Sequence, residues 1–225
     1  MKFNIAIDGP SAAGKSTIAM RLAEKLHYIH LDTGAMYRCI AYKTKILGID
    51  IHDENKIKAF LPDTTISFDS YGNVFLDGIN VSDEIRKADM AWLASTVSTL
   101  LSVREDLVRR QQIYAANKGI IMDGRDIGTV VLPDAEIKLF LTADVKSRAL
   151  RRYKEHCEHQ HDVSLETIEA DIIKRDIQDT TREFSPLVKA EDAIVIDTTD
   201  MNVDDVINLI QSIIDKKKIE AKIND

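Results

Sequence analysis

The chain has 225 residues, 44% of them hydrophobic and 30% charged, with only 9 Gly and 4 Pro. At about 150 residues per domain this is one large domain or one with an insertion, with apolar material for a full core, and a collagenous or Pro/Gly-rich disordered chain is excluded. Its 30 basic and 37 acidic residues leave a net charge of −7 and a pI near 5.4, the wrong sign for a domain that grips nucleic acid or an anionic membrane by its whole surface.

Lys2 to Ile7 is a β-prone run that ends at Asp8-Gly9-Pro10. A helix follows with Ile18, Leu22 and Leu26 on one face, then a short strand over Tyr28 to Leu31. A second helix carries Met36, Cys39, Ile40 and Leu47. The alternation breaks between about Ile57 and Val97. There Thr65 to Phe68 and Val74 to Leu76 flank Asp69-Ser70-Tyr71-Gly72-Asn73, a hairpin signal, and Asp77-Gly78 turns the chain into Ile79-Asn80-Val81. This stretch reads as a small β-rich insertion.

Helical periodicity resumes near Ala88 and runs, with a break, to Asn117, with Gly119 as a stop signal. Ile120 to Asp123 and Ile137 to Leu141 are apolar runs of the kind buried in parallel sheets. A basic helix covers about Val145 to His159. Another begins after Ser164 as N-cap and continues to about Gln178. Ala193 to Ile196 is a last strand, and Asn202 caps a final helix ending in Lys216-Lys217-Lys218, a trio suited to a helix C-terminus. Alternating β and α elements predict a parallel sheet flanked by helices.

Gly9-Pro10-Ser11-Ala12-Ala13-Gly14-Lys15-Ser16-Thr17 fits G-x-x-x-x-G-K-[ST] between a strand and a helix. Backbone N–H groups at a helix N-terminus converge on phosphate oxygens there. Lys15 reaches the outer phosphates, and the Ser16 hydroxyl is placed for Mg²⁺. The loop therefore predicts a bound nucleoside triphosphate. Small-molecule kinases, motors and switch GTPases all share it. Asn117-Lys118-Gly119-Ile120 fails the guanine-reading Asn-Lys-x-Asp pattern at its last position, and the chain is short for a motor.

Twelve of the 30 basic residues are arginines, and nine of these lie between Arg104 and Arg182, against five of the 18 lysines. Arginine is preferred where planar, bidentate contact with phosphate is needed. A nucleoside monophosphate has a second pKa of about 6, so as acceptor it arrives ionised and needs no general base. What remains is to neutralise charge in a loose transition state. Arg148, Arg151 and Arg152 near one helix end, with Arg175 on the next helix, suit a lid that closes over the nucleotide. The alternative for each is solvation or pairing with neighbours such as Glu155 and Glu158.

These residues resemble the bacterial type of cytidylate kinase, within the nucleoside-monophosphate kinases. The resemblance rests on Asp8 to Ser11 leading into the loop, Leu31-Asp32-Thr33-Gly34-Ala35-Met36-Tyr37-Arg38, Asp123-Gly124-Arg125-Asp126-Ile127-Gly128-Thr129-Val130-Val131, and Lys174-Arg175-Asp176 with Asp179, Arg182 and Ser185-Pro186-Leu187. It implies an α/β P-loop nucleoside-monophosphate-kinase fold as a single domain, with a monophosphate-binding insertion at about 57–97 and a helical lid at about 148–182. It implies phosphoryl transfer from ATP to CMP or dCMP with Mg²⁺. Lys15, Arg125, Arg148, Arg151, Arg152 and Arg175 would be catalytic. Thr33, Arg38 and Arg125 would hold the acceptor phosphate, Ser95, Arg104, Asp126 and Arg182 would read cytosine, and Arg175 and Asp179 would lie by the sugar and phosphate. The base chemistry agrees. Cytosine's amino group needs an acceptor such as Asp126 or Ser95, and UMP would leave that acceptor unpaired. Rival readings are a kinase for UMP, AMP or shikimate, and a non-catalytic nucleotide-gated protein.

The loop departs from the family at Ala12, where glycine is usual, and Asp176 to Arg182 carries fewer arginines than in some relatives. Asp123 either holds a Mg²⁺-bound water or caps the following turn. His156 to His161 reads as a polar lid tip rather than a zinc site, because no second ligand pair is near. Trp92 and Tyr37 read as packing residues. Two cysteines, Cys39 and Cys157, make no disulfide framework. With no signal peptide or apolar span, the expectation is a cytoplasmic protein without membrane partners. The acidic balance argues against nucleic acid, and the resemblance implies a monomer.

Overall fold

The computed structural model describes residues 2–69, 72–87, 89–158 and 163–223, and of His156 and Glu158 the backbone alone. In chain order the elements are β1 (Ile5–Asp8), α1 (Lys15–Leu26), β2 (Ile29–Asp32), α2 (Thr33–Ile46) and α3 (Glu54–Phe60). Then come β3 (Ile66–Phe68), β4 (Val74–Leu76), β5 (Ile79–Asn80), α4 (Met90–Val97) and α5 (Leu101–Ala115). The chain continues through β6 (Ile120–Gly124), β7 (Ile137–Thr142), α6 (Val145–Glu158), α7 (Leu165–Thr181), β8 (Ile194–Asp197) and α8 (Val203–Ile223). Two compact units result. Met1–Leu31, Tyr114–Thr181 and Ser185–Asp225 form the first, and Asp32–Ile113 with Arg182–Phe184 form the second.

The first unit is built on a five-stranded parallel sheet in the order β2-β6-β1-β7-β8, flanked by helices. Central β1 pairs with β6 on one side and β7 on the other, and all four of its residues are buried. Ile5, Ile7, Ile121, Leu139 and Leu141 of the sheet meet Ile18 and Leu22 of α1 and Ile207, Ile210 and Ile214 of α8. Truncating one such isoleucine to alanine costs about 2–5 kcal/mol. A smaller core of Ala149, Ile168 and Ile172 joins α6 to α7, with Ala12 of the glycine-rich loop packed on it. Asp144 starts α6 by accepting from Ser147 N at 2.8 Å, and the Ser164 hydroxyl accepts from Thr167 N at 3.2 Å at the start of α7. Asn202 caps α8 by accepting from Asp205 N at 2.9 Å.

The second unit holds an antiparallel β3-β4-β5 sheet and the packed pair α2 and α4. Asp77 (φ 51°) and Gly78 (φ 81°) both have left-handed backbone, the signature of a tight two-residue hairpin between β4 and β5. The Asp77 carboxylate fixes the turn by accepting from Thr65 N and Lys43 Nζ.

Several expectations change. The stretch 57–97 is not β-rich throughout, since it holds the end of α3 and all of α4. At seven residues α3 is too short to show a helical period, although its Asp53 cap, which accepts from Lys56 N, is a local signal. The run toward Asn117 is two helices broken at 98–100. Helix α8 continues to Ile223, because no Gly or Pro stops it after Lys218. Leu47 caps α2 and is half exposed, and Trp92 is 51% exposed rather than packed. Ser70 and Tyr71 of the predicted hairpin turn, Ala88, and His159 to His161 lie outside the described residues.

Candidate active site

In the first unit the chain leaves β1 through a loop whose backbone demands small residues. A Cβ on Gly9 would stand 2.0 Å from the Leu141 carbonyl oxygen, so no other residue fits. Gly14 (φ 85°) precedes α1. Ala12 also has left-handed backbone, φ 58°, a conformation that glycine adopts at less cost than alanine. Its methyl group packs on the α6–α7 core, a contact that glycine lacks.

Lys15 opens α1 and is buried, its Nζ donating to the Pro10 carbonyl at 2.7 Å. Burial, and next the Arg125 charge, hold its pKa well below the usual lysine value. Ser16 Oγ donates to Asp123 Oδ2 at 2.6 Å, and His30 Nε2 meets Asp123 Oδ1 at 2.7 Å. The Ser16 hydroxyl and the Asp123 carboxylate are thus two hard oxygen donors side by side at the head of the loop, a chemistry that suits Mg²⁺.

Arg125, Arg175 and Arg148 of this unit stand against carboxylates. Arg125 Nε donates to Asp179 Oδ2 at 2.7 Å, and Arg175 Nε lies 4.0 Å from the same oxygen. Burial works against the Arg125 charge, but Asp179, Asp123 and Asp176 outweigh it. Arg148 is buried, donating to the Ala143 and Ser11 carbonyls and pairing with Asp176 at 2.6 Å. Asp176 also accepts from Ser11 N at 3.3 Å. One ion pair therefore clamps both backbone polar groups of Ser11 in the phosphate loop. Arg151 is directed to Thr198 Oγ1 and the Thr198 carbonyl, and exposed Arg152 lies by Glu155 at 3.5 Å.

The sequence places Asp8 in the first motif without a role; its carboxylate accepts from Ile127 N and Gly128 N, both at 2.8 Å. It thereby fixes the π-helical turn Ile127–Val131 that follows Arg125 and Asp126. Burial raises its pKa to about 6, against the pull of the two backbone bonds. His30 and Asp176 were likewise missed as partners of site residues. Asp126 is buried in this unit.

In the second unit Asp32 caps α2 by accepting from Ala35 N at 3.0 Å, and its other oxygen accepts from Arg38 at 2.8 Å. Thr33 is buried at the first position of α2. The Arg38 Nε is buried without a hydrogen-bond partner. Arg104 is buried, donates to the Ser98 carbonyl at 3.1 Å and lies over the Tyr37 ring at 5.6 Å from its centroid. Arg182 donates to Ser98 Oγ at 3.4 Å, and Ser98 Oγ in turn donates to the Ser95 carbonyl at 2.8 Å. Ser98 is the hub that gathers Ser95, Arg104 and Arg182 in one cluster. Tyr37 serves as a platform for a guanidinium as much as a packing residue.

Comparison with known proteins points to one family. The family model described as cytidylate kinase matches residues 5–216. The cytidylate kinase of Ligilactobacillus salivarius is 48% identical over 219 residues, covering 96% of this chain and 98% of that protein. That of Caldicellulosiruptor bescii is 50% identical over 212 residues, covering 93% and 94%. Among solved structures, an uncharacterized protein from Eubacterium ventriosum shares the fold with a TM-score of 0.53 at 15% identity, covering 96% of this chain and 99% of that one. The chain belongs to the cytidylate kinase family.

Proposed function

We propose that the chain transfers the γ-phosphoryl group of ATP to CMP or dCMP, giving ADP and CDP or dCDP. The observation that carries this reading is the first unit's assembly, where Arg148 and Asp176 hold the phosphate loop in place and the charges of Arg125 and Arg175 act on its Lys15. The family's identity across nearly the whole chain supports the choice of cytidine.

The acceptor phosphate is ionised at neutral pH, its second pKa being about 6, so no residue must remove a proton. The work of the chain is orientation and charge neutralisation. Backbone N–H groups of Gly9 to Thr17 and the Lys15 ammonium take the donor phosphates. Arg125 and Arg175 serve the transferring group, with Asp179 fixing their direction. Arg148 acts through the loop that it clamps, and Arg151 and Arg152 support α6. Ser16 and Asp123 fit Mg²⁺, Asp123 through a water, and bound Mg²⁺ would offset charge on the donor phosphates.

Thr33, Arg38 and Arg125 are the proposed holders of the acceptor phosphate, with Asp179 by the sugar. Ser95, Arg104, Asp126 and Arg182 are the proposed cytosine readers. Residues 57–97 would serve as the monophosphate-binding insertion and 148–182 as a lid that excludes water from the phosphoryl group. The same reading assigns the chain to pyrimidine nucleotide metabolism as a cytoplasmic monomer without nucleic-acid or membrane partners. Unbridged Cys39 and Cys157 suit a reducing compartment, and no described helix is long and apolar enough to cross a membrane.

A coupled assay of ADP release with ATP, Mg²⁺ and CMP, dCMP, UMP or AMP in turn tests the function. Turnover is expected with CMP and dCMP. Faster turnover with UMP or AMP, or none with any monophosphate, would overturn it.

A further inference from the structure

Strand β2 lies next to β6 in the sheet, and this neighbourhood brings His30 onto Asp123, 93 residues away, with Nε2 and Oδ1 2.7 Å apart. The ring is four-fifths covered and the carboxylate almost wholly so, with 20% and 5% of their side-chain surfaces exposed. Ser16 holds the other oxygen at 2.6 Å. A carboxylate held at one oxygen only still pivots about its own axis. Held at both, by a strand on one side and the phosphate loop on the other, it has one orientation.

We infer that His30 is a positioning residue for magnesium, acting through Asp123. The inference rests on the function proposed above, in which Ser16 and Asp123 serve the Mg²⁺ that accompanies ATP. A serine hydroxyl that gives a lone pair to a cation keeps its proton for Asp123, so the Ser16 contact persists on loading. The imidazole supplies the second contact by donating from Nε2, which it does as the Nε2–H tautomer or as the imidazolium. A carboxylate oxygen accepts more than one hydrogen bond, so these contacts are compatible with a water on the metal. Partners that orient a metal-binding carboxylate in this way are typically worth about 10–100-fold in metal affinity.

The test separates this role from simple strand-to-strand fastening. His30→Phe removes the donor and keeps a ring, whereas His30→Gln keeps an N–H donor. ATP binding to each full-length variant is titrated calorimetrically without divalent cation and at a series of Mg²⁺ concentrations, and Mn²⁺ binding in the presence of ATP is followed by electron paramagnetic resonance. For His30→Phe the Mg²⁺ needed for half-maximal enhancement of ATP binding, and the Mn²⁺ dissociation constant, should rise about 10–100-fold, with metal-free ATP affinity unchanged. His30→Gln should recover most of the loss. Unchanged metal dependence in folded His30→Phe overturns the inference, and so does an equal fall in metal-free ATP affinity. If His30→Phe does not fold, His30→Ala carries the same comparison. Wild-type ATP binding that ignores Mg²⁺ would instead refute the magnesium reading, and the His30 role with it.

Discussion

Asp8 offers a stability measurement whose sign is unusual for a carboxylate. Its side chain is 3% exposed, and burial raises its pKa from 3.8 to about 6 despite two backbone hydrogen bonds. The folded chain therefore binds this proton more tightly than the unfolded chain. Between the two values the folded state carries more protons, so stability falls as pH rises. At 1.36 kcal/mol per pH unit the whole effect is about 3 kcal/mol, fully present below pH 3.8 and lost above about 6. Asp8→Asn is neutral at every pH and removes the effect. The other groups titrate in both proteins and cancel in the difference. Urea unfolding of both at several pH values gives ΔG of each, and the wild type should lose about 3 kcal/mol relative to Asp8→Asn between about pH 4 and about pH 7. A difference that is flat over this range, or that grows in favour of the wild type as pH rises, would refute the argument that burial outweighs the Ile127 and Gly128 N–H groups.

Lys15→Ala and Arg125→Ala should each remove most of kcat, and near-normal steady-state turnover in either would break that residue's assignment. Because burial disfavours the Lys15 ammonium, Lys15→Met should keep or raise the melting temperature while losing activity, and a large drop on a thermal scan would contradict this. Asp126→Ala should narrow the kcat/KM ratio of CMP over UMP more than it weakens ATP binding, and an unchanged ratio would move base reading elsewhere. Ala12→Gly relieves a left-handed alanine worth about 1–2 kcal/mol but loses methyl packing worth about 0.8 kcal/mol. Chemical unfolding should show it neutral or stabilising by about 1 kcal/mol, and a clear destabilisation would mean that the contact with the α6–α7 core matters more than the backbone.

The phosphate loop was legible because everything that defines it is local. A strand, a run of small residues and a helix follow one another from Ile5 to Leu26, and Gly9 and Gly14 sit where backbone geometry requires them. Short apolar runs likewise marked β1, β6 and β7. The partners of the site residues were not legible. Asp8 meets Gly128 across 120 residues, His30 meets Asp123 across 93, and Arg125 meets Asp179 across 54. The first two depend on β6 lying between β1 and β2 and the third on where α7 folds back, neither of which local spacing encodes. Trp92 was misread for a related reason, since its apolar neighbours Met90 and Ala94 are buried while it points outward. Hydrophobicity says that a residue can be buried, whereas helix phase decides whether it is.

A chain with net charge −7 binds anions only if its cations are concentrated and kept dry. A buried bare guanidinium would be costly, and three arginines of the first unit stand against a carboxylate: Arg125 and Arg175 by Asp179, Arg148 by Asp176. The pairs do not cancel the site's use. A guanidinium has five N–H donors, and Asp179 and the Gly124 carbonyl engage Nε and Nη1 of Arg125. The carboxylate thus fixes the plane of the fork, and in the function proposed above the fork's remaining N–H donors would serve phosphate oxygens. Acidic residues in the motifs are then part of how the arginines work, and the excess of acid in the composition is no argument against an anionic substrate.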